Sequence, residues 1–204
     1  MLFDDTYKTI KTTSEGIFRD KGSKFIGYAY PISSEAEVKN IIAKLRAEHG
    51  KARHFCWALR LSPDRSIFKL NDDGEPSGTA GRPILNTLLS ADVTNILVVV
   101  VRYFGGTLLG VPGLINAYKI ATVEALAVNE VIVKTVNDIY EIGFDYLEMN
   151  QIMRIIKDEQ LAILNQEFDT KCVVKFEVRK SNLNAVLGKL EKVDGIEIKY
   201  LGTI

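Results

Sequence analysis

Asn95-Ile96-Leu97-Val98-Val99-Val100-Val101-Arg102-Tyr103 is the stretch on which the fold turns. Its β-branched composition predicts a strand, and its unbroken apolar run predicts burial on both faces of a sheet. The aliphatic part, Ile96 to Val101, is six residues long. A membrane span needs about 20. Phe104–Val111 follows as a glycine-rich loop. Pro112 suits a first helical turn, and Leu114, Ala117, Tyr118, Ala121 and Ala125 continue that helix on one face.

Working upstream, the alternation around Lys8–Thr13 predicts a strand. Ile17–Asp20 and Lys24–Tyr30 read as a hairpin around Lys21-Gly22-Ser23. Tyr28 and Tyr30 fall on one face of it and Phe25 on the other. Ser34 opens a helix with Glu37 as its capping-box partner, and Gly50 ends it. His54–Leu61 and Ile67–Asn71 form a second hairpin, and Asp72–Gly81 is a loop. A short helix then carries Pro83, Ile84, Leu85, Leu88 and Leu89.

Downstream, Asp138–Phe144 reads as a strand and the segment around Ile152–Ile156 as a helix. Leu161–Phe168 and Cys172–Val178 are strands, a helix follows Ser181, and Ile196–Leu201 is the last strand. The order β-α-β-β-α-β is the split-βαβ, ferredoxin-like pattern. Charge changes at the same place. Residues 1–135 hold 17 Lys/Arg against 14 Asp/Glu, a net of +3, and residues 136–204 hold 9 against 12, a net of −3. The expected domains are therefore 1–135 and 136–204, in a two-domain α+β chain of 204 residues.

Whole-chain composition removes several classes. Lys+Arg and Asp+Glu are both 26, so the chain is not a basic wrapper of nucleic acid, and any such site is a local patch. The start, Met1-Leu2-Phe3-Asp4-Asp5, lacks a basic region and an apolar core, so no signal peptide is expected. Two cysteines, Cys56 and Cys172, make no disulfide framework and suit a reducing cytoplasm.

Two segments carry more glycine and charge than a core needs. They are Asn71–Pro83 and Val101–Gly113. A strand, a glycine loop and a helix start in succession present free N–H groups that favour an anion. Arg102 could offer a fork of donors to phosphate or carboxylate. Neither GxxxxGK[ST] nor GxGxxG is present, since the glycines fall at Gly105, Gly106, Gly110 and Gly113. Those glycines also suit tight turns and close helix–sheet packing. Asp72, Asp73 and Glu75 could hold a divalent cation, or could form a solvated turn, or Asp73 or Glu75 could pair with Arg82 or Arg102 and tie the loops together. His54 and Cys56 share a strand face, but Cys56 lies in an apolar stretch, and His54 is better suited to donating to an anion than to covalent chemistry.

At these two loops the sequence resembles the YigZ/IMPACT family. Asp72-Asp73-Gly74-Glu75-Pro76-Ser77-Gly78-Thr79-Ala80-Gly81-Arg82-Pro83 resembles its first signature, and Val101-Arg102-Tyr103-Phe104-Gly105-Gly106-Thr107-Leu108-Leu109-Gly110 its second. Lys24-Phe25 and His54 stand where the family has a basic-aromatic hairpin and a strand histidine. The resemblance implies a first domain like the second domain of a small-subunit ribosomal protein, also found as domain IV of elongation factor G. It implies a ferredoxin-like second domain similar to that factor's domain V. The eukaryotic relatives are translational regulators that compete for the activator of the kinase sensing uncharged tRNA. Their partner-binding RWD domain is not found in this sequence, so that partner is not expected here.

The resulting expectation is a cytoplasmic, non-enzymatic regulator of translation that binds structured RNA or the ribosome. It has no cofactor, no metal, no membrane association and no DNA sequence specificity, and any protein partner is unidentified. Lys24, His54, Arg82, Arg102, Gly105, Gly106, Gly110 and Gly113 would form its anion-binding face, with Asp72, Asp73 and Glu75 as the loop wall. Two rivals stand beside it. One is an enzyme acting on a small phosphorylated or carboxylated substrate, metal-dependent if Asp73 or Glu75 is a ligand. The other is a protein–protein adaptor docking through the ferredoxin-like domain.

Overall fold

The structure, a computed structural model, describes residues 5–204; the residues before Asp5, read above for a leader, lie outside it. In chain order the strands and helices are β1 (Thr6–Ile10), β2 (Ser14–Asp20), β3 (Ser23–Pro31), α1 (Ala36–Glu48), β4 (His54–Leu61), β5 (Ile67–Asn71), α2 (Gly81–Ser90), β6 (Ile96–Tyr103) and α3 (Gly110–Ala127). Then come β7 (Val131–Thr135), β8 (Asn137–Phe144), α4 (Met149–Asp158), β9 (Ala162–Phe168), β10 (Cys172–Arg179), α5 (Leu183–Leu190) and β11 (Glu197–Thr203). Among the described residues no helix is long and apolar enough to cross a membrane. The described residues divide into two compact units, Tyr7–Lys134 and a second made of Thr135–Ile204 with Asp5 and Thr6.

In the first unit a five-stranded antiparallel sheet runs β2-β3-β6-β4-β5. The apolar stretch is its central strand, buried everywhere but half-buried Tyr103. Alternation sends its side chains both ways. Ile96, Val98 and Val100 pack with Ile84, Leu85 and Leu88 of α2 and Leu114, Tyr118 and Ala121 of α3. Leu97, Val99 and Val101 pack with Val38 and Leu45 of α1. Each buried Val or Leu stabilises by about 1.5–3 kcal/mol. This explains why no position on β6 before Arg102 is polar.

Helix α3 comes unusually close to the sheet. Gly16 and Gly27 face each other across β2 and β3. A Cβ on Gly16 would lie 2.2 Å from the Ala125 nitrogen, and one on Gly27 would lie 2.4 Å from the Ala121 carbonyl oxygen. Small residues on both surfaces set this spacing, and Ser14 Oγ donates to the Ala125 carbonyl at 2.6 Å. Half of the expected capping box on α1 is formed. The Glu37 carboxylate accepts from the Ser34 amide at 3.0 Å and the Ser33 amide at 2.8 Å, while no side chain caps the helix in return. Strand β7 was not expected. It pairs with β1 in a separate two-stranded sheet. Its mostly exposed Val131-Ile132-Val133 gives no clear alternation from which pairing could be read.

The second unit has the order β11-β8-β10-β9 around β8-α4-β9-β10-α5-β11. This is the split-βαβ arrangement. Ile142, Phe144, Val174 and Phe176 pack beneath Ile152, Ile156, Val186 and Leu190 of the two helices. Asp5 belongs to this unit. Arg179 donates to it through both Nε (2.6 Å) and Nη2 (2.9 Å). The Arg179 hydrogen bonds, with help from Ser181, hold the Asp5 carboxyl well below the usual carboxylate range. The folded-state pKa is thus depressed. The stability this pair contributes is present above the unfolded value of about 3.9 and is lost as pH falls below it. Urea unfolding of wild type and Asp5→Asn at pH 7 and pH 3 should show a stability difference that shrinks at the lower pH. A difference independent of pH would contradict the assignment.

Candidate functional site

The antiparallel register brings several chain breaks to one end of the five-stranded sheet. Strands β3 and β4 start there, at Ser23 and His54, and β5 and β6 finish there, at Asn71 and Tyr103. The turn at 21–22, the loop at 72–80 and the loop at 104–109 therefore share that end, as do the first turns of α2 and α3.

Each acidic side chain of the 72–75 loop has an internal partner. The Asp72 carboxylate accepts from the amides of Gly78 (2.9 Å), Ala80 (3.1 Å) and Gly81 (2.8 Å). It occupies the positive end of α2, where an external anion would otherwise be attracted. Asp73 takes Arg46 Nη2 on both oxygens, at 2.8 and 2.9 Å, and the Phe55 amide at 2.6 Å. Glu75 accepts from Arg102 Nη1 at 2.5 Å and from the Tyr118 hydroxyl at 2.8 Å. The Arg102 and Glu75 side chains are 6% and 4% exposed. Of the alternatives left open by the sequence, the pair Glu75–Arg102 is the one formed, and Asp73 pairs with Arg46 instead. Among the described residues no group of three or more His, Cys, Asp or Glu could hold a metal ion.

The buried chain extends to Cys56, whose Sγ lies 3.3 Å from the Tyr118 hydroxyl and 3.0 Å from the Asp72 carbonyl. Burial pushes both the Cys56 thiol and the Tyr118 phenol far above their ordinary values. Both stay protonated donors at neutral pH. A thiolate nucleophile is therefore not available here. His54 is engaged with the loop backbone: its Nδ1 is 2.9 Å from the Asp73 carbonyl oxygen.

The glycines divide by role. Gly105 passes so near the 21–22 turn that a Cβ would lie 1.9 Å from the Gly22 carbonyl carbon, and its amide bonds Ser23 Oγ at 3.1 Å. Gly106 and Gly110 have φ of +87° and +74°, the left-handed region that favours glycine. Gly113 lies in the first turn of α3, which carries no acidic residue and no side-chain cap.

Cations are left over. Lys21, Arg53 and Arg82 are exposed and Lys24 is half-buried. Among the described residues, none of the four has a hydrogen-bonded or ion-paired side-chain partner. Lys24 is opposite Tyr103 in register, one position from Arg102, and so belongs to the other sheet face. His54 is directly opposite Arg102 and shares its face. The Lys24 face also carries Tyr28 and Tyr30, stacked with centroids 6.4 Å apart. There His49 bridges the hydroxyls of Tyr28 (2.9 Å) and Tyr103 (2.7 Å), and burial pushes the Tyr28 pKa up to about 12. Phe25, on the Arg102 face, is fully buried.

Sequence reasoning missed two exposed apolar residues of the second loop, Phe104 and Leu108. It also missed Tyr118 as the third member of the buried chain. The only signal for Tyr118 was a hydroxyl on the buried face of α3, which must find a partner.

The second unit offers a different surface. On the face of its sheet away from the helices, β8 and β10 present Ile139, Glu141, Gly143, Val173, Lys175 and Glu177. None of these is aromatic, so the two central strands give no platform for stacked bases. A depression of about 310 Å³ there is lined by Glu141, Asp145, Glu197, Lys171 and Lys199, a mixed-sign solvated surface.

The family described as the Impact N-terminal domain matches residues 21–126. An IMPACT family member of Haemophilus influenzae is 34% identical over 174 residues, 84% of this chain and 79% of its own. The IMPACT family member YvyE of Bacillus subtilis is 34% identical over 171 residues, 81% of this chain and 79% of its own. A crystal structure described as that of a hypothetical protein matches with a TM-score of 0.75 at 28% identity, covering 97% of this chain and 98% of that one.

Proposed function

The chain belongs to the IMPACT family, and from that premise we propose that it is a non-enzymatic, cytoplasmic regulator of translation that binds RNA at the loop end of its five-stranded sheet. The observation that carries the RNA half is the imbalance of satisfied charge. Asp72, Asp73 and Glu75 are each bonded within the fold, while Lys21, Lys24, Arg53 and Arg82 have no acceptor among the described residues. A chain with no net charge thereby gains a local basic rim, which is what phosphates recognise. The translation half rests on the family, whose motifs resemble those of eukaryotic regulators of translation.

This reading changes the part given to Arg102. Its guanidinium is paired with Glu75 and buried, so the phosphate contacts fall to the rim. His54 Nδ1 is engaged with the Asp73 carbonyl, and Gly105, Gly106 and Gly110 shape the loop that the rim surrounds. An enzyme using Asp73 as base or metal ligand is disfavoured, because both its oxygens are held by Arg46 and one also by the Phe55 amide. The EF-G-like assignment of the two domains fits this reading as a relation of fold, which does not itself fix function.

Titrating RNA against the full chain at rising salt tests the proposal. Affinity should fall linearly in log–log form, and Arg82→Glu or Lys21→Glu should reduce the slope by about one or more per lost phosphate contact. Absence of any RNA binding at low salt would overturn it.

A further inference from the structure

We propose that this site takes single-stranded RNA, holding one unpaired base against the outer face of Phe104, with Arg102 as the positioning residue beneath the ring. The inference rests on the RNA reading above and adds to it the kind of RNA bound. Phe104 directly follows β6 and is 53% exposed. A phenylalanine next to a buried strand would ordinarily turn inward, where burial stabilises it by about 1.5–3 kcal/mol. Here the inner side is already occupied. The Arg102 guanidinium lies over the Phe104 ring, 5.5 Å from its centroid, and 5.4 Å from the centroid of Phe25.

That cation is fixed. Glu75 holds Nη1, Tyr118 holds Glu75, and Arg102 Nε is buried with no hydrogen-bond partner. The charge is therefore presented partly to the rings, in cation–π contacts that are stronger when desolvated. The consequence is an aromatic ring held from below and open above. Two residues on, at Gly106, the loop is open. A Cβ at Gly106 would meet nothing within 4 Å. Leu108 stands 82% exposed in the same loop and would pack against the edge of a stacked base or its sugar.

The unpaired cations decide the class of ligand. An apolar partner segment would use Phe104 and Leu108 but would leave Lys21 and Arg82 without a role. A polyanion with flat apolar faces uses both. Within RNA, a base reaches an exposed ring only when it is unstacked, because an A-form duplex shows its phosphates and shallow groove but not its base faces. Stacking on an aromatic platform is also tolerant of sequence.

The test measures anisotropy of a labelled, unstructured ten-nucleotide RNA and of a ten-base-pair RNA duplex with the full chain. Wild type should bind the single strand at least about ten-fold more tightly than the duplex. Phe104→Ala should weaken the single strand by about ten-fold, within the 1–3 kcal/mol a stacked base contributes, and leave the duplex and the salt slope unchanged. Phe104→Trp should retain affinity, and its indole should be quenched by the single strand beyond any change seen with Trp57, the single native tryptophan. Arg102→Lys should weaken the single strand only while Phe104 is present, so its effect should vanish in the Phe104→Ala background. Equal binding of the two RNAs, or single-strand affinity unmoved by Phe104→Ala, overturns the inference and leaves the RNA reading standing. In the second case the ring would belong to a protein contact. No binding of either RNA by wild type overturns both.

Discussion

Arg102→Ala is expected to lose about 3–5 kcal/mol of folding stability, the cost of breaking a buried ion pair by removing one partner. The cost comes less from the lost attraction than from what remains. Glu75, 4% exposed at its side chain, would keep only the Tyr118 hydroxyl as a hydrogen-bond donor among the described residues. In a unit of this size that loss lowers Tm by at least about 10 °C. The control is a double-mutant cycle. Glu75→Gln in the Arg102→Ala background removes the stranded charge, so the double variant should be more stable than additivity predicts. A single-variant loss below about 1 kcal/mol would show that Glu75 is compensated in some other way. The same result would reopen Arg102 as a direct phosphate ligand.

Gly27→Ala is expected to cost about 3 kcal/mol, the upper end of ordinary overpacking. The added methyl would lie 2.4 Å from the Ala121 carbonyl oxygen and 3.0 Å from its carbon. Both are backbone atoms of α3, so the helix must move as a body or the strand must bend. Dispersion and burial along the Ala117–Ala121–Ala125 stripe would weaken together. Gly50→Ala is the matched control. Nothing lies within 4 Å of its added Cβ, and denaturant unfolding should show a change within about 0.5 kcal/mol. Equal effects at the two positions would mean that the close approach of α3 contributes little.

These two sites differ in how far the sequence revealed them. The six aliphatic residues of β6 read as a strand covered on both sides, and the apolar stretch Phe55–Ala58 marked β4 as a core strand. Local turn chemistry placed the Lys21-Gly22 turn between β2 and β3 and the 62–66 turn between β4 and β5. What escaped were particular features made by long-range pairing. Strand β7 has no pattern of its own and exists because β1 lies beside it. The fate of Arg102 depended on Glu75, 27 positions away, and on Tyr118 from another helix. Strand parity put Arg102 on the same face as Val98 and Val100, and a charge on a buried face has to be paired, so the pair could be named as one option but not chosen. Lys24 escaped for the same reason. Its one-residue offset from Phe25 assigns it to the opposite face, and that becomes clear only when β3 and β6 are in register. Phe104 was passed over because an exposed aromatic in a loop leaves no mark in a periodicity.

The position of β6 has a consequence for how the chain acquires its structure. The two hairpins, β2-β3 and β4-β5, are complete within 71 residues, yet neither pairs with the other. Both wait for Ile96–Tyr103, which joins Lys24 to Tyr103 across 79 positions of chain. Such non-local closure makes folding slow. During synthesis from the N-terminus, both hairpins are exposed before the strand that unites them has been made. Until then the inner edges of β3 and β4 offer unpaired amides and carbonyls and apolar side chains, a condition that favours aggregation. The last-arriving strand is thus the one that seals both edges at once.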